Sequence, residues 1–209
     1  MARISVVDRR AELISAALRV VAASGVAAAT TRAIVAEADM SLASFHYAFT
    51  SRDELLAELV VHVVEQERVV LDVEELRADT TTDDEPAPEL RSVVAAGLER
   101  YFELLRADPG REAAMQELSY YAMRTPGLER LAGEQYRRYS ELAGEALTIA
   151  AEVSDSRWLR PVDELARIVI AFTDGLTVAW LVRRDDAEAR QLIDSVASLI
   201  ASLAEPRQR

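Results

Sequence analysis

An all-α fold is predicted, with an N-terminal three-helix domain containing a helix-turn-helix joined to a larger C-terminal helical bundle. Two observations of composition and one of pattern predict it. Half of the 209 residues are apolar, while only 7 are glycine and 6 are proline, so few residues interrupt long periodic segments. Alanine, leucine, arginine and glutamate dominate, all good helix formers. Apolar residues recur at spacings of three and four along most of the chain, the period of one helix face.

Residues 8–24 place Leu13, Ile14, Ala17, Leu18, Val21 and Ala22 on one such face, and Gly25 ends the helix as a C-cap glycine. Thr30 and Thr31 offer an N-cap for a short helix to about Ala38, and Ser41 caps a second one to about Phe49. Asp39 and Met40 form the turn between them, and two short helices around a tight turn have helix-turn-helix spacing. Ser51 and Glu54 read as a capping box, the serine serving the N3 amide and the glutamate reaching back. This box launches a long bridging helix to about Leu76, and divides the chain into domains of residues 1–52 and 53–209.

Residues 77–88 are polar, acidic and proline-ended, which predicts an exposed loop. Their aspartates lack the glycine and terminal glutamate spacing of an EF-hand, so they read as a solvated loop rather than a calcium site. Further helices are predicted near 89–106, 109–123, 126–153, 161–183 and 186–204. Asp108-Pro109 and Thr125-Pro126 each put an N-cap residue ahead of a proline at the first helical position. In the helix at 126–153 Leu128, Leu131, Gln135, Tyr139, Leu142, Ala146, Ile149 and Val153 define one long buried face. The last two helices carry the small residues Ala171, Gly175, Ala179, Ser195, Ser198, Ala201 and Ser202, which permit close helix approach in an internal core or a dimer seam.

Several function classes fall away. No cysteine is present, which removes disulfides, thiolate zinc sites and cysteine nucleophiles. The two histidines, His46 and His62, belong to no HExxH or paired Glu-x-x-His set, and no glycine-rich phosphate loop occurs. No metal, no cofactor and no enzymatic activity are therefore expected. Charges return early after Met1 and no run of about 20 uncharged apolar residues follows, so a soluble cytoplasmic protein is expected. The net charge of -12 argues against nucleic acid as a partner until its distribution is considered. Residues 1–55 hold six arginines and six acidic residues, so the whole negative excess lies beyond position 55. A neutral DNA reader on an acidic body fits that asymmetry, and so would an ordinary acidic enzyme.

From Thr30 to Leu55 the sequence resembles the TetR family of transcriptional regulators. Ile34, Ala36, Met40, Ser41, Ser44, Phe45, Tyr47, Phe49, Ser51 and Leu55 match the family pattern or substitute mildly, and Asp174-Gly175-Leu176 matches a triplet of its penultimate helix. Four positions depart: Asp39 stands for the turn glycine, His46 for a tyrosine, Ala48 for a histidine that often touches phosphate, and Arg52 for lysine. Aspartate tolerates a left-handed turn residue better than most.

The resemblance implies a homodimeric regulator, with repression its commoner mode, whose C-terminal part binds a small-molecule effector and dimerises. The second helix of the motif would enter the major groove of an operator. Leu42, Ala43, Ser44 and His46 are expected to face base edges, and Thr31, Arg32, Tyr47 and Arg52 to hold phosphates. His62, Gln66, Phe102, Met115, Ser119, Tyr139, Phe172 and Leu176 are the effector-contact candidates, a mixed set with apolar and polar members such as small-molecule sites use. Ala171, Gly175, Ala179, Ser195, Ser198 and Ser202 are the candidates for the dimer seam. The rival reading is a helical ligand-binding or interaction protein without specific DNA binding.

Overall fold

Short polar side chains set where the first four helices begin. Ser5 accepts from the Asp8 amide at 3.1 Å and opens α1, Val6–Ser24. Gly25 closes it at φ +82°, a left-handed value that favours glycine, with its N–H donating to the Val21 carbonyl. A 3-10 turn, Val26–Ala28, leads to Thr30, which caps α2, Thr31–Glu37, by accepting from the Ala33 amide at 3.2 Å. Ser41 caps α3, Leu42–Ala48, by accepting from the Ser44 amide at 3.1 Å. Asp39 occupies the turn between them at φ +50°, so an aspartate does what glycine would do there. Ser51 accepts from the Glu54 amide at 3.0 Å at the start of α4, Arg52–Val70.

Glu54 departs from the predicted capping box. Its carboxylate reaches past Ser51 and accepts from the amide and hydroxyl of Thr50, at 2.7 and 2.6 Å. Arg10 of α1 binds the other oxygen at 3.0 Å. These hydrogen bonds stabilise the anion, and the Thr50 hydroxyl foremost holds the Glu54 carboxyl down at about 2, below the ordinary 4.5. A depressed folded-state value stabilises the fold above pH 4.5, and that contribution is lost as pH falls through about 2. Glu54→Gln should therefore lower the thermal midpoint at neutral pH and flatten its decline between pH 4.5 and about 2 in acid-titrated melts.

The computed structural model describes residues 5–70 and 87–207, with side chains for 5–65 and 87–207. The predicted extension of the bridging helix over 71–76 and the acidic part of the loop at 77–86 lie outside the described residues, as does Arg3. The remaining helices among the described residues are α5, Leu90–Ala107, α6, Pro109–Arg124, α7, Glu129–Val153, α8, Val162–Arg183, and α9, Asp186–Ala201. Asp108 caps α6 ahead of Pro109 as predicted, accepting from the Arg111 amide at 3.0 Å. Thr125 does not do the same for α7. Its hydroxyl donates back to the Tyr121 carbonyl, Gly127 turns at φ +90°, and the helix begins at Glu129.

Among the described residues a two-stranded antiparallel ribbon accompanies the helices, β1, Ser156–Trp158, paired with β2, Ala204–Pro206. The last helix consequently stops at Ala201 rather than near 204. Trp158 anchors the ribbon by donating its indole N–H to the Leu147 carbonyl at 2.9 Å.

The chain divides into two units whose bounds differ from the expected 1–52 and 53–209. The first comprises residues 1–66 and 108–136, the second 67–107 and 137–209. The first is drawn together by one apolar core. Leu13, Val21, Ile34, Phe45, Phe49, Leu55 and Leu59 share it with Met115, Leu118 and Ala122 of α6 and Leu131 of α7. Its largest members, Phe45 and Phe49, are fully buried, and each such side chain contributes about 1.5–3 kcal/mol of transfer free energy. The second unit packs Leu98, Phe102 and Leu105 of α5 with Leu147, Leu165, Leu176, Trp180, Ile193 and Ile200.

Candidate nucleic-acid interface

Two aromatic side chains decide which way α3 faces. Phe45 and Phe49 point inward with ring centroids 5.7 Å apart, and Ala48 is buried beside them. Helical periodicity then turns the other side of α3 to solvent. Leu42 is 43% exposed and Tyr47 65%, large values for apolar and aromatic groups, and Ala43 and His46 are exposed with them. Ser44 is half-buried and its hydroxyl lies 3.1 Å from that of Ser41. His46 is exposed and lies edge-on to Phe45, with 5.7 Å between ring centroids. All four residues expected at base edges thus lie on one short helix next to its capped N-terminus.

The arginines around α3 divide by what they hold. Arg10 is committed to the protein: it binds Glu54 and Glu58 of α4 and the Ala48 carbonyl of α3, and lies 4.2 Å from the Phe49 ring centroid. It clamps three helices together. Arg19 is tied to Glu12 and Glu37, at 3.1 and 2.6 Å. Arg52, expected at phosphate, points the other way. Its guanidinium donates to the Ala29 carbonyl at 2.7 Å, to the Val26 carbonyl and to the Tyr121 hydroxyl at 2.9 Å, so every nitrogen has a protein acceptor. The physical reason is that bare carbonyls after α1 and a tyrosine of α6 offer it a partly buried site that the local sequence does not show.

Arg32, on α2, is exposed with no charged partner among the described residues, and Thr31 beside it is half-buried. Arg9 of α1 lies over the Tyr47 ring, 5.1 Å from its centroid. An arginine on α1 carries no local sequence sign of which neighbour it meets, so Arg9 is not legible there as a partner of Tyr47. Among the described residues near α3, Arg32 is exposed, and Arg9 is half-buried against the Tyr47 ring.

Residues 13–59 match the family described as bacterial regulatory proteins, tetR family, and residues 88–205 match the C-terminal part of BetI-type transcriptional repressors. The chain belongs to the TetR family. The nicotine-responsive transcriptional repressor HdnoR of Paenarthrobacter nicotinovorans is 29% identical over 198 residues, covering 93% of this chain and 94% of its own length. The fold is shared with a transcriptional regulator from Rhodococcus sp. at a TM-score of 0.75 and 17% identity, covering 92% of this chain and 98% of that one. It is also shared with FadR of Bacillus subtilis, solved in complex with stearoyl-CoA, at a TM-score of 0.65 and 19% identity, covering 92% and 97%.

The eight effector candidates of this TetR-family chain fall in both units. In the first, Met115 and Ser119 are buried on α6, and the Ser119 hydroxyl lies 3.1 Å from the Met115 carbonyl and 2.8 Å from Gln135 Oε1 of α7. Gln135 is buried too, so these groups form a small polar island in an apolar core. His62 on α4 is half-buried, and the Gln66 side chain lies outside the described residues. In the second unit Phe102 and Leu176 are fully buried core, Phe102 edge-on to Trp180 at 5.8 Å, while Tyr139 and Phe172 are half-buried.

The seam candidates sort by exposure. Along α8, Ile168, Ala171, Gly175, Val178 and Val182 are exposed at alternating spacings of three and four, and Val182 is 78% exposed. Along α9, Leu192, Ser195 and Leu199, with Ser202 just past its end, repeat the pattern, and Leu199 is 65% exposed. Ala179 is half-buried off the first stripe, and Ser198 is exposed with its hydroxyl engaged by Arg91 of α5 at 2.9 Å. Small size alone did not separate them from their neighbours.

Proposed function

We propose that this chain acts as a homodimeric, effector-responsive repressor that reads an imperfect palindrome with α3 and leaves it when a small molecule binds. The observation that carries the reading is the two-sided build of α3. Its inward aromatics fix its angle, and its outward face combines hydrogen-bonding Ser44 and His46 with apolar Leu42 and Ala43. Such a face suits contact with base edges and a thymine methyl group in the major groove. Thr31, Arg32, Tyr47 and Arg9 flank it as the phosphate-holding set. Arg52 is left out of that set.

Dimerisation is supported by α8. It is long and apolar enough to cross a membrane by composition, yet only 28% of its most apolar stretch is buried within the chain. An apolar helix left so uncovered calls for a partner, and in a regulator of palindromic DNA a second copy of the chain supplies it. Two helices from each copy, meeting along the α8 and α9 stripes, form a four-helix seam across a two-fold axis.

The effector is proposed by kinship and by position. The Paenarthrobacter relative is nicotine-responsive and the Bacillus FadR structure holds stearoyl-CoA. In this chain the buried Met115, Ser119 and Gln135 group offers polar anchors among apolar walls, and α4 begins at the reader and runs on past His62. An effector that shifts α4 changes the separation of the two α3 helices. By linkage it binds the DNA complex more weakly by the same factor, a coupling of about 1–3 kcal/mol.

The test is selection of duplexes from a randomised pool by the wild-type chain, followed by affinity and salt titration. Ser44→Ala and His46→Ala should change the preferred bases. Arg32→Ala should weaken all sequences alike and reduce the salt slope by about 1, and an unchanged slope would remove Arg32 from the phosphate set. Failure to enrich any duplex would favour the rival reading of a ligand-binding or interaction protein.

A further inference from the structure

Groups from three separated stretches of the chain meet at the turn between α1 and α2. Glu117 of α6 accepts the Val26 N–H at 2.9 Å. Gly25 makes the approach feasible, because a Cβ at that position would stand 2.8 Å from the same carboxylate oxygen. Arg52, the first residue of α4, donates to the Val26 and Ala29 carbonyls, and its third nitrogen donates to the Tyr121 hydroxyl of α6 at 2.9 Å. The guanidinium also lies 5.2 Å from the Tyr121 ring centroid. Val26 therefore has its N–H held by α6 and its carbonyl held by an arginine that α6 itself orients.

Glu117 and Tyr121 are four residues apart and so share one side of α6. The turn they hold ends at Thr30, the cap that fixes where α2 starts. From α2 the geometry passes directly to the reading helix, through the bond from the Met40 amide to the Val35 carbonyl at 2.8 Å and the shared core of Ile34 and Phe45. The same helix α6 carries Met115 and Ser119, the second bonded to Gln135. Ser119 thus lies on the same helix as the groups gripping the turn, so a displacement of α6 at Ser119 is passed to the turn.

We propose that Glu117, Tyr121 and Arg52 form a latch that ties α6 and the first residue of α4 to the turn between α1 and α2, and through it sets the placement of α2 and α3. These are positioning residues: they touch neither DNA nor effector. The proposal rests on the DNA-binding reading above, and its test separates the two.

Amide hydrogen exchange of the full-length chain is followed with and without the duplex that the wild-type chain enriches from a randomised pool. In the wild type the duplex should slow exchange over residues 112–124 of α6 as well as over 41–49. In Glu117→Ala and in Tyr121→Phe the slowing over 112–124 should disappear while that over 41–49 persists. Glu117→Gln keeps an acceptor for Val26 and should behave as wild type. Arg52→Ala should lower affinity for the duplex about tenfold with its salt slope unchanged, whereas loss of a phosphate contact lowers the slope by about 0.9.

An α6 that does not respond in the wild type, that responds equally in Glu117→Ala and Tyr121→Phe, or a slope that falls in Arg52→Ala, would overturn the latch. If no duplex is enriched, the DNA reading fails, and the free protein decides the latch alone. Exchange over residues 26–30 should then be faster in Glu117→Ala and Tyr121→Phe but not in Glu117→Gln, with α8 and α9 unchanged, and equal rates in all four proteins would refute it.

Discussion

Gly175→Trp should convert the protein from dimer to monomer and lower its affinity for a palindromic duplex about 10²–10⁴-fold, the advantage that two linked half-sites lose when they separate. The residue is exposed at the middle of the α8 stripe, and a Cβ built there meets nothing within 4 Å inside the chain. A helix interior also favours tryptophan over glycine by intrinsic propensity. The substitution is therefore harmless to one copy and damaging only to a second copy packed against it. Sedimentation at micromolar concentration and duplex titration check both halves of the expectation. A Gly175→Trp dimer of unchanged affinity would place the seam elsewhere, and Val178→Asp on the same stripe should give the same result as a second probe.

Phe45→Ala should destabilise the reader by about 3–5 kcal/mol, the usual cost of emptying a large buried aromatic site. Phe45 is 1% exposed, packs on Phe49, and is the residue that fixes the rotation of α3 about its axis. Specific DNA binding should be abolished even where the chain still folds, because the base-facing residues lose their angle. Denaturant titration gives the stability, and hydrogen exchange over α8 and α9, which belong to the other unit, should remain as in the wild type. A loss below about 1 kcal/mol would show that the core does not depend on this ring.

The features legible in the sequence are those made by neighbours in it. Thr30, Ser41 and Ser51 cap helices through bonds to amides three residues on, and Gly25 and Asp39 mark left-handed backbone at single positions. The inward turn of Phe45 and Phe49 follows from a spacing of four. The resemblance carried by residues 30–55 supplied the family, and with it the role of α3.

Illegible features depend on partners far along the chain. Arg10 and Arg52 read only as positive charge, since their acceptors lie up to 69 residues away. That α6 completes the reader's core, and that the chain therefore does not divide at residue 52, follows from contacts about a hundred residues apart on which helical periodicity is silent. The β1 and β2 strands are three residues each, too short for alternation to register. Among small residues on α8 and α9, composition could not distinguish Gly175 on the open stripe from Ala179 beside it or Ser198 against Arg91.

Sequencing the duplexes that the wild-type chain enriches from a randomised pool tests the central claim most directly. A two-fold dimer carrying two α3 helices predicts an inverted repeat, its half-site centres separated by about one helical turn, roughly 10–10.5 base pairs, or a multiple of it. Enrichment of a lone half-site, or no enrichment over the starting pool at low salt, would contradict a dimeric, sequence-specific reader.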